Sequence, residues 1–213
     1  IAEHYGAQVV EVLTGFKYIG EYITQLEEKG EADRFEIGFE ESYGYLTGAH
    51  TRDKDAVNAS MMICEAASFY KLKGETLVDA LNLLHSRFGF WQNSLFNFYF
   101  EGVDGMAKMS AIMEKLRNAY PTSLGGVRVI GVDDYKTGVS HDFEAGTEKP
   151  VSLPKSNVIA LKLCGGDKVI IRPAGTEPKI KVYTMVREKD ESAAAAKTSL
   201  YEKELLSVVG IGE

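Results

Sequence analysis

Val169-Ile170-Ile171-Arg172-Pro173-Ala174-Gly175-Thr176-Glu177-Pro178-Lys179-Ile180-Lys181-Val182-Tyr183 reads as two strands joined by a tight polar loop. Apolar, β-branched residues supply the strands, and two prolines stiffen the turn between them. The loop suits a phosphate. A guanidinium such as that of Arg172 pairs with phosphate oxygens in a two-pronged fashion, Thr176 adds a hydroxyl, and successive N–H groups around Gly175 can form an anion-binding nest. Lys179 and Lys181 follow at once on the second strand. A charged hydrogen bond contributes about 1.5–3 kcal/mol, so three or four hold a phosphate ester against water. The same residues also spell a plain Pro/Gly hairpin with an incidental arginine, and spacing alone leaves both readings open.

Working outward, further strands are expected at Val127–Val132 and Val158–Leu163, with Gly165-Gly166-Asp167 turning the latter into Lys168–Arg172. Phe96, Phe98 and Phe100 alternate with Asn97 and Tyr99, which predicts another strand. Met106, Met109, Ile112, Met113 and Leu116 recur at helical spacing until Pro121, and a last helix runs from about Glu191 to Leu206. The methionine stripe at this spacing is core packing rather than a promiscuous binding face. Hairpin-linked strands bracketed by helices make a small α+β domain with an antiparallel sheet. Upstream the pattern differs. A strand is expected at Gln8–Leu13, then a helix capped by Thr14 with Tyr18, Ile19, Tyr22, Ile23 and Leu26 on one face, then a strand at Phe35–Phe39. Helices follow at about Asp55–Tyr70 and Glu75–Phe88, the second buried through Leu77, Leu81 and Leu84. This alternation predicts a three-layer α/β domain with a mixed, largely parallel sheet. The boundary falls between Phe88 and Asn93, giving domains 1–92 and 93–213.

With 213 residues, 45% of them hydrophobic and 26% charged, the chain is globular rather than disordered. A formal net charge of −7 argues against a nucleic-acid partner, so a basic loop in this acidic chain points to a small anion. Cys64 and Cys164 have no metal-ligand spacing and form no disulfide framework, which fits a reducing cytoplasm. No apolar run approaches membrane-spanning length and no secretory signal is present, so no membrane partner is expected. Ile1-Ala2-Glu3-His4-Tyr5-Gly6 reads as the last turn of a helix closed by glycine, and the expectation is that the chain is cut from a longer protein.

Two polar loops follow strands in the first half. In Thr14-Gly15-Phe16-Lys17 a lysine stands near a helix N-terminus, itself favourable to anions, although a solvated first-turn lysine explains the segment equally. In Gly38-Phe39-Glu40-Glu41-Ser42-Tyr43-Gly44 two acids and a hydroxyl can exchange hydrogen bonds with vicinal sugar hydroxyls, and the flanking Tyr43, Tyr45 and Leu46 are unusually apolar for an idle acidic turn. His4, His50, His85 and His141 are isolated, with no Ser/His/Asp triad and no metal-ligand cluster.

Glu40-Glu41-Ser42-Tyr43-Gly44 together with Arg172-Pro173-Ala174-Gly175-Thr176-Glu177-Pro178 resembles the α-D-phosphohexomutase family, its bacterial phosphoglucomutase branch in particular. Thr14–Ile19, Leu153-Pro154-Lys155-Ser156-Asn157, and Asp134-Tyr135 before Gly138 are similar too, so the resemblance runs the whole chain. It implies the third and fourth of four domains, the third reading hexose hydroxyls through Glu40 and Ser42 with Lys17 nearby. The fourth, a lid, holds phosphate through Arg172, Ala174, Gly175, Thr176 and Lys181. The implied activity is an isomerase's interconversion of glucose 1-phosphate and glucose 6-phosphate through a phosphoserine, with a phosphosugar as partner. Mg2+ and glucose 1,6-bisphosphate serve the full-length enzyme. The family's nucleophilic Ser-His-Asn loop and its Asp-rich metal loop do not occur here, so no catalytic or metal residue is assigned and no cofactor is expected on this chain alone. The N-terminal domains of the same chain become its partners, and the isolated chain is expected to be inactive. Phosphomannomutase, phosphoglucosamine mutase and a non-catalytic sugar-phosphate-binding module are the alternatives, and the Glu-Glu-Ser-Tyr-Gly form favours the glucose branch. One departure stands out: Ala174 occupies a place where the family usually has serine, removing a hydroxyl donor. Its backbone N–H is expected to remain available.

Overall fold

The computed structural model describes residues 1–40 and 43–208, which divide into two compact units, Ile1–Leu84 and a second beginning at His85. The division falls earlier than the expected step between residues 92 and 93. The end of the last helix before it already belongs with the second unit, where the His85 ring packs 4.5 Å from that of Phe90.

The first unit is a mixed α/β unit. After a 3-10 turn at Ala2–Tyr5, closed by Gly6 in the left-handed region (φ 74), the chain reaches helix α1, Phe16–Glu28. The strand expected at Gln8–Leu13 does not form: these residues join no ladder among the described residues, and Val9 and Val10 stay exposed. Nor does Thr14 cap α1. Gly15 takes the cap position at φ 121 with no side-chain hydrogen bond, a conformation that threonine adopts only under strain. The buried stripe of α1 is Phe16, Ile19, Ile23 and Leu26, so Phe16 replaces Tyr18 and Tyr22, which lie half-buried at its margin. β1, Ile37–Glu40, and β2, Gly44–Thr47, form an antiparallel hairpin. Leu46 from β2 joins Phe16, Ile19 and Ile23 in a small core. Helix α2, Ala56–Leu72, starts where the Asp55 carboxylate accepts from the N–H of Asn58 at 2.9 Å. Helix α3, Leu77–Phe88, starts with a reciprocal pair: Asp79 accepts from the N–H of Thr76 at 2.8 Å, and the Thr76 hydroxyl accepts from the N–H of Asp79 at 3.1 Å.

The α/β class expected for this unit holds, while its one described ladder, β1–β2, is antiparallel, with no parallel ladder among the described residues. Leu77 and Leu81 are exposed rather than buried, Leu84 is half-buried, and Ala80 is the buried residue of α3. The cause is geometric. Two strands of four residues each provide too little sheet to cover three helices, so Val57, Met61 and Ile63 of α2 also face solvent.

The second unit is built on an eight-stranded antiparallel sheet. Its strands are β3 (Phe90–Tyr99), β4 (Ser123–Leu124), β5 (Val127–Asp134), β6 (Val139–Asp142), β7 (Thr147–Pro150), β8 (Ile159–Leu163), β9 (Lys168–Pro173) and β10 (Lys179–Glu188). Their spatial order is β3-β10-β9-β8-β5-β6-β7, with β4 beside β5. Helices α4, Gly105–Asn118, and α5, Glu191–Val208, complete it. One face of every strand except β6 and β7 feeds a continuous core in which Ile159, Leu161, Ile171 and Val182 meet Met113 of α4 and Tyr201 of α5. The methionine stripe is core as expected, with Met109 and Met113 buried. The β6–β7 hairpin, absent from the sequence-based expectation, is polar on both faces and so shows no hydrophobic alternation. Its turn is nonetheless specified: Asp142 Oδ1 accepts from the N–H groups of Glu144 and Ala145 at 3.0 and 2.9 Å, and Gly146 takes a φ of 63. Among the described residues no helix is long and apolar enough to cross a membrane.

Candidate functional site

Within the acidic motif of the first unit, Glu40 ends β1 and Gly44 begins β2. Glu40 pairs in register with Gly44, and Tyr43, at φ 60, is almost wholly exposed. Glu41 and Ser42 lie outside the described residues, so the expectation for Ser42 has no structural counterpart here. Packing leaves no room for a side chain at Gly38, and at Gly44 a side chain would have to displace two neighbouring side chains. A Cβ on Gly38 would meet Ile19 Cγ2 at 2.6 Å, and one on Gly44 would meet Lys54 Cδ at 2.6 Å and Glu40 Cγ at 2.8 Å. The bare backbone of Gly44 therefore lets the Lys54 stem cross the strand and bring its ammonium 3.4 Å from the Glu40 carboxylate. Lys54 also reaches Asp53 at 3.2 Å and sits 5.1 Å over the Phe16 ring. Hydrogen bonding to Asp53, reinforced by Glu40, holds its pKa above the ordinary lysine value. Nothing in the run Arg52-Asp53-Lys54-Asp55 marks this lysine, because its partner lies across a turn. Lys17 is exposed in the first turn of α1, its ammonium 4.8 Å over the Tyr18 ring, and no hydrogen bond or ion pair joins it to Glu40.

The basic loop of the second unit joins β9 to β10. Arg172 on β9 stands directly opposite Lys181 on β10, both half-buried on one face of the sheet. Like charges facing each other across a ladder are destabilising, and no carboxylate among the described residues is ion-paired to either. Lys179, by contrast, is ion-paired to Glu177. The loop's N–H groups divide the same way. That of Ala174 donates to Lys179 O at 2.9 Å and that of Lys179 to Glu177 O at 2.8 Å, while those of Gly175, Thr176 and Glu177 have no acceptor among the described residues. This corrects the expectation for Ala174, whose N–H is consumed by the fold. It also corrects the expected nest: Gly175 is not among the positive-φ glycines, and a Cβ placed on it would meet nothing within 4 Å. Neither backbone conformation nor packing requires glycine there.

The hairpin carrying this loop is anchored at its far end. Asp167, read from sequence as a turn residue, is buried, and its carboxylate accepts from the Tyr201 hydroxyl at 2.6 Å and from the N–H of Arg187 at 2.9 Å. Lys197 Nζ completes the set at 2.7 Å. Asp134, part of another sequence motif, is likewise fully buried and holds Arg117 Nε at 3.2 Å and the Tyr120 hydroxyl at 3.2 Å. Both aspartates fix the scaffold. Of the histidines, His50 pairs with Asp55 at 3.0 Å and His141 with Glu148 at 3.1 Å.

The chain carries a mixed α/β unit with an acidic hairpin, followed in sequence by an antiparallel sheet with a cationic loop, and comparison with known proteins gives this architecture a family. Residues 1–86 match the family described as "Phosphoglucomutase/phosphomannomutase, alpha/beta/alpha domain III". A phosphoglucomutase of Staphylococcus haemolyticus is 39% identical over 183 residues, covering 86% of this chain and 33% of the relative. One from Staphylococcus aureus is 38% identical over 187 residues, covering 88% and 33%. The chain thus spans about a third of the length of these curated relatives. In fold it is similar to the open form of parafusin from Paramecium, an exocytosis-sensitive phosphoprotein described as a phosphoglucomutase, with a TM-score of 0.67 and 20% identity over 99% of this chain and 35% of that one. The chain belongs to the phosphoglucomutase/phosphomannomutase family, and its first 86 residues are the family's domain III.

Proposed function

We propose that this chain supplies the sugar-holding and phosphate-holding parts of a cytoplasmic phosphoglucomutase that interconverts glucose 1-phosphate and glucose 6-phosphate, residues 1–92 as its third domain and 93–213 as its fourth. The observation that carries the reading is the pairing of Arg172 with Lys181 on one sheet face without a carboxylate, beside three consecutive N–H groups lacking acceptors. Two cations and three open donors at one loop complement a phosphate dianion in charge.

In this reading Arg172 donates two N–H groups to the phosphate, the N–H groups of Gly175, Thr176 and Glu177 and the Thr176 hydroxyl take its remaining oxygens, and Lys181 balances its charge. Glu40, held in place by Lys54, accepts from hexose hydroxyls beside Ser42, and Lys17 adds a cation on the sugar side. All of these position the substrate, and positioning and electrostatics dominate phosphoryl transfer. A clamp that reads charge accepts a phosphate at either end of the sugar, as exchange between O1 and O6 requires. The phosphorylated serine, Mg2+ and glucose 1,6-bisphosphate belong to the full-length enzyme. Among the described residues no group of three or more His, Cys, Asp or Glu side chains is arranged to hold a metal.

The test is a titration of the chain with inorganic phosphate and glucose 6-phosphate followed by amide NMR. Shifts at Gly175, Thr176 and Glu177 are expected in the parent chain and their loss in Arg172→Ala. Retained shifts in the variant mean that the phosphate sits elsewhere. Mutase turnover by the chain alone contradicts the assignment of the nucleophile to other domains.

A further inference from the structure

Of the three cations at the phosphate loop, one is not available to a ligand. Lys179 Nζ is ion-paired to the Glu177 carboxylate, and the Lys179 N–H donates to Glu177 O at 2.8 Å, so the two residues are linked through both side chain and backbone. On its other side the ammonium lies 5.5 Å over the ring of Tyr99, its cross-strand partner on β3. The Lys179 side chain is 17% exposed in this setting, whereas Glu177 is 56% exposed at the mouth of the loop. Hydrogen bonding to Lys179, then its charge, and finally that of Lys181 keep the Glu177 carboxyl below the ordinary glutamate pKa, so it stays anionic at neutral pH. A carboxylate thus stands beside one of the loop's three open N–H groups, at the place an anion would enter.

We propose that Glu177 sets the affinity of the phosphate loop, opposing the incoming phosphate by its own charge and withholding Lys179 from it in an internal ion pair backed by Tyr99. The proposal rests on the reading of the Arg172 loop as a phosphate site. Its consequence is a site of two working cations rather than three, from which a phosphate leaves more readily. A clamp that holds first one end and then the other of the same sugar needs such release.

Inorganic phosphate titrated against the chain, followed at the Gly175 amide, tests the proposal in four variants. Glu177→Gln is expected to bind about fivefold more tightly than the parent, the scale of removing one unit charge a few ångströms away in a mostly aqueous dielectric. Because Lys179 is the cation released, Glu177→Gln in a Lys179→Met background is expected to give a smaller gain. Arg172→Ala is expected to abolish binding. Unchanged or weaker binding by Glu177→Gln, with Arg172→Ala still inactive, overturns the role of Glu177 and leaves the phosphate site standing. An undiminished gain in the Lys179→Met background overturns the withholding of Lys179. Parent-like binding by Arg172→Ala removes the site itself, and the proposal falls with it.

Discussion

Position 174 separates what a loop's sequence promises from what its backbone can deliver. Alanine there lacks a hydroxyl, and its N–H is spent on Lys179 O, so the residue offers a phosphate no hydrogen-bond donor at all. Ala174→Ser is therefore expected to tighten phosphate binding by up to about tenfold, the weight of one charged hydrogen bond near 1.5 kcal/mol. No gain in a phosphate titration would mean that the hydroxyl points away from the ligand. Gly175 gives the complementary prediction. With ordinary φ and no atom within 4 Å of a built Cβ, Gly175→Ala is expected to change stability by less than about 0.5 kcal/mol while weakening phosphate binding. Unaltered binding would show that no phosphate approaches the backbone at Gly175. The contrast with Gly38 and Gly44 was not legible in the sequence, where all three glycines read alike. The difference lies in Ile19 and Lys54, which come from other elements and close over the first two.

The β9–β10 hairpin shows the same division at the level of elements. Its strands and antiparallel pairing were legible because β-branched residues alternate around Pro and Gly punctuation. Its anchor was not, because Asp167 meets Lys197 and Tyr201 of α5 only after the chain has folded back on itself. Asp167→Ala strips a buried carboxylate from three donors and is expected to cost about 3 kcal/mol, since breaking a buried pair leaves its partners uncompensated. Tyr201→Phe, which leaves the Lys197 contact intact, is expected to cost about 1–2 kcal/mol. Urea midpoints at constant m-value measure both, and equal effects would show that the hydroxyl alone carries the anchor. In the first unit helices were legible from spacing, but burial was not. The expectation for Leu77 and Leu81 assumed a covering sheet, and the described hairpin of two short strands does not extend over them.

For the whole molecule, the two units differ in how much core each possesses, and this has a measurable consequence. Among the described residues, nineteen buried ones form one cluster in the second unit, against four in the main cluster of the first, so the first is expected to unfold at lower urea. The single tryptophan, Trp91 on β3, reports the second unit alone, whereas far-ultraviolet circular dichroism sees the helices of both. At pH 7 the Trp91 transition is expected to lie at higher urea than the first part of the dichroism change. Alkali should then narrow the gap from above. Burial, followed by the nearby Asp134 carboxylate, pushes the Tyr120 hydroxyl up to about 12, and burial together with the bond to Asp167 pushes that of Tyr201 up as well. For Lys197 burial acts downward, but hydrogen bonds to Asp167 and Glu188 outweigh it and raise the pKa. In each case the folded state keeps a proton that the unfolded chain releases near pH 10. The associated stability is therefore present below about pH 10 and lost as the pH rises toward 12. The Trp91 midpoint should fall over that window, and Tyr120→Phe should flatten the fall. Coincident fluorescence and dichroism transitions at pH 7 would instead make the two units a single cooperative body, with the larger core stabilising the smaller.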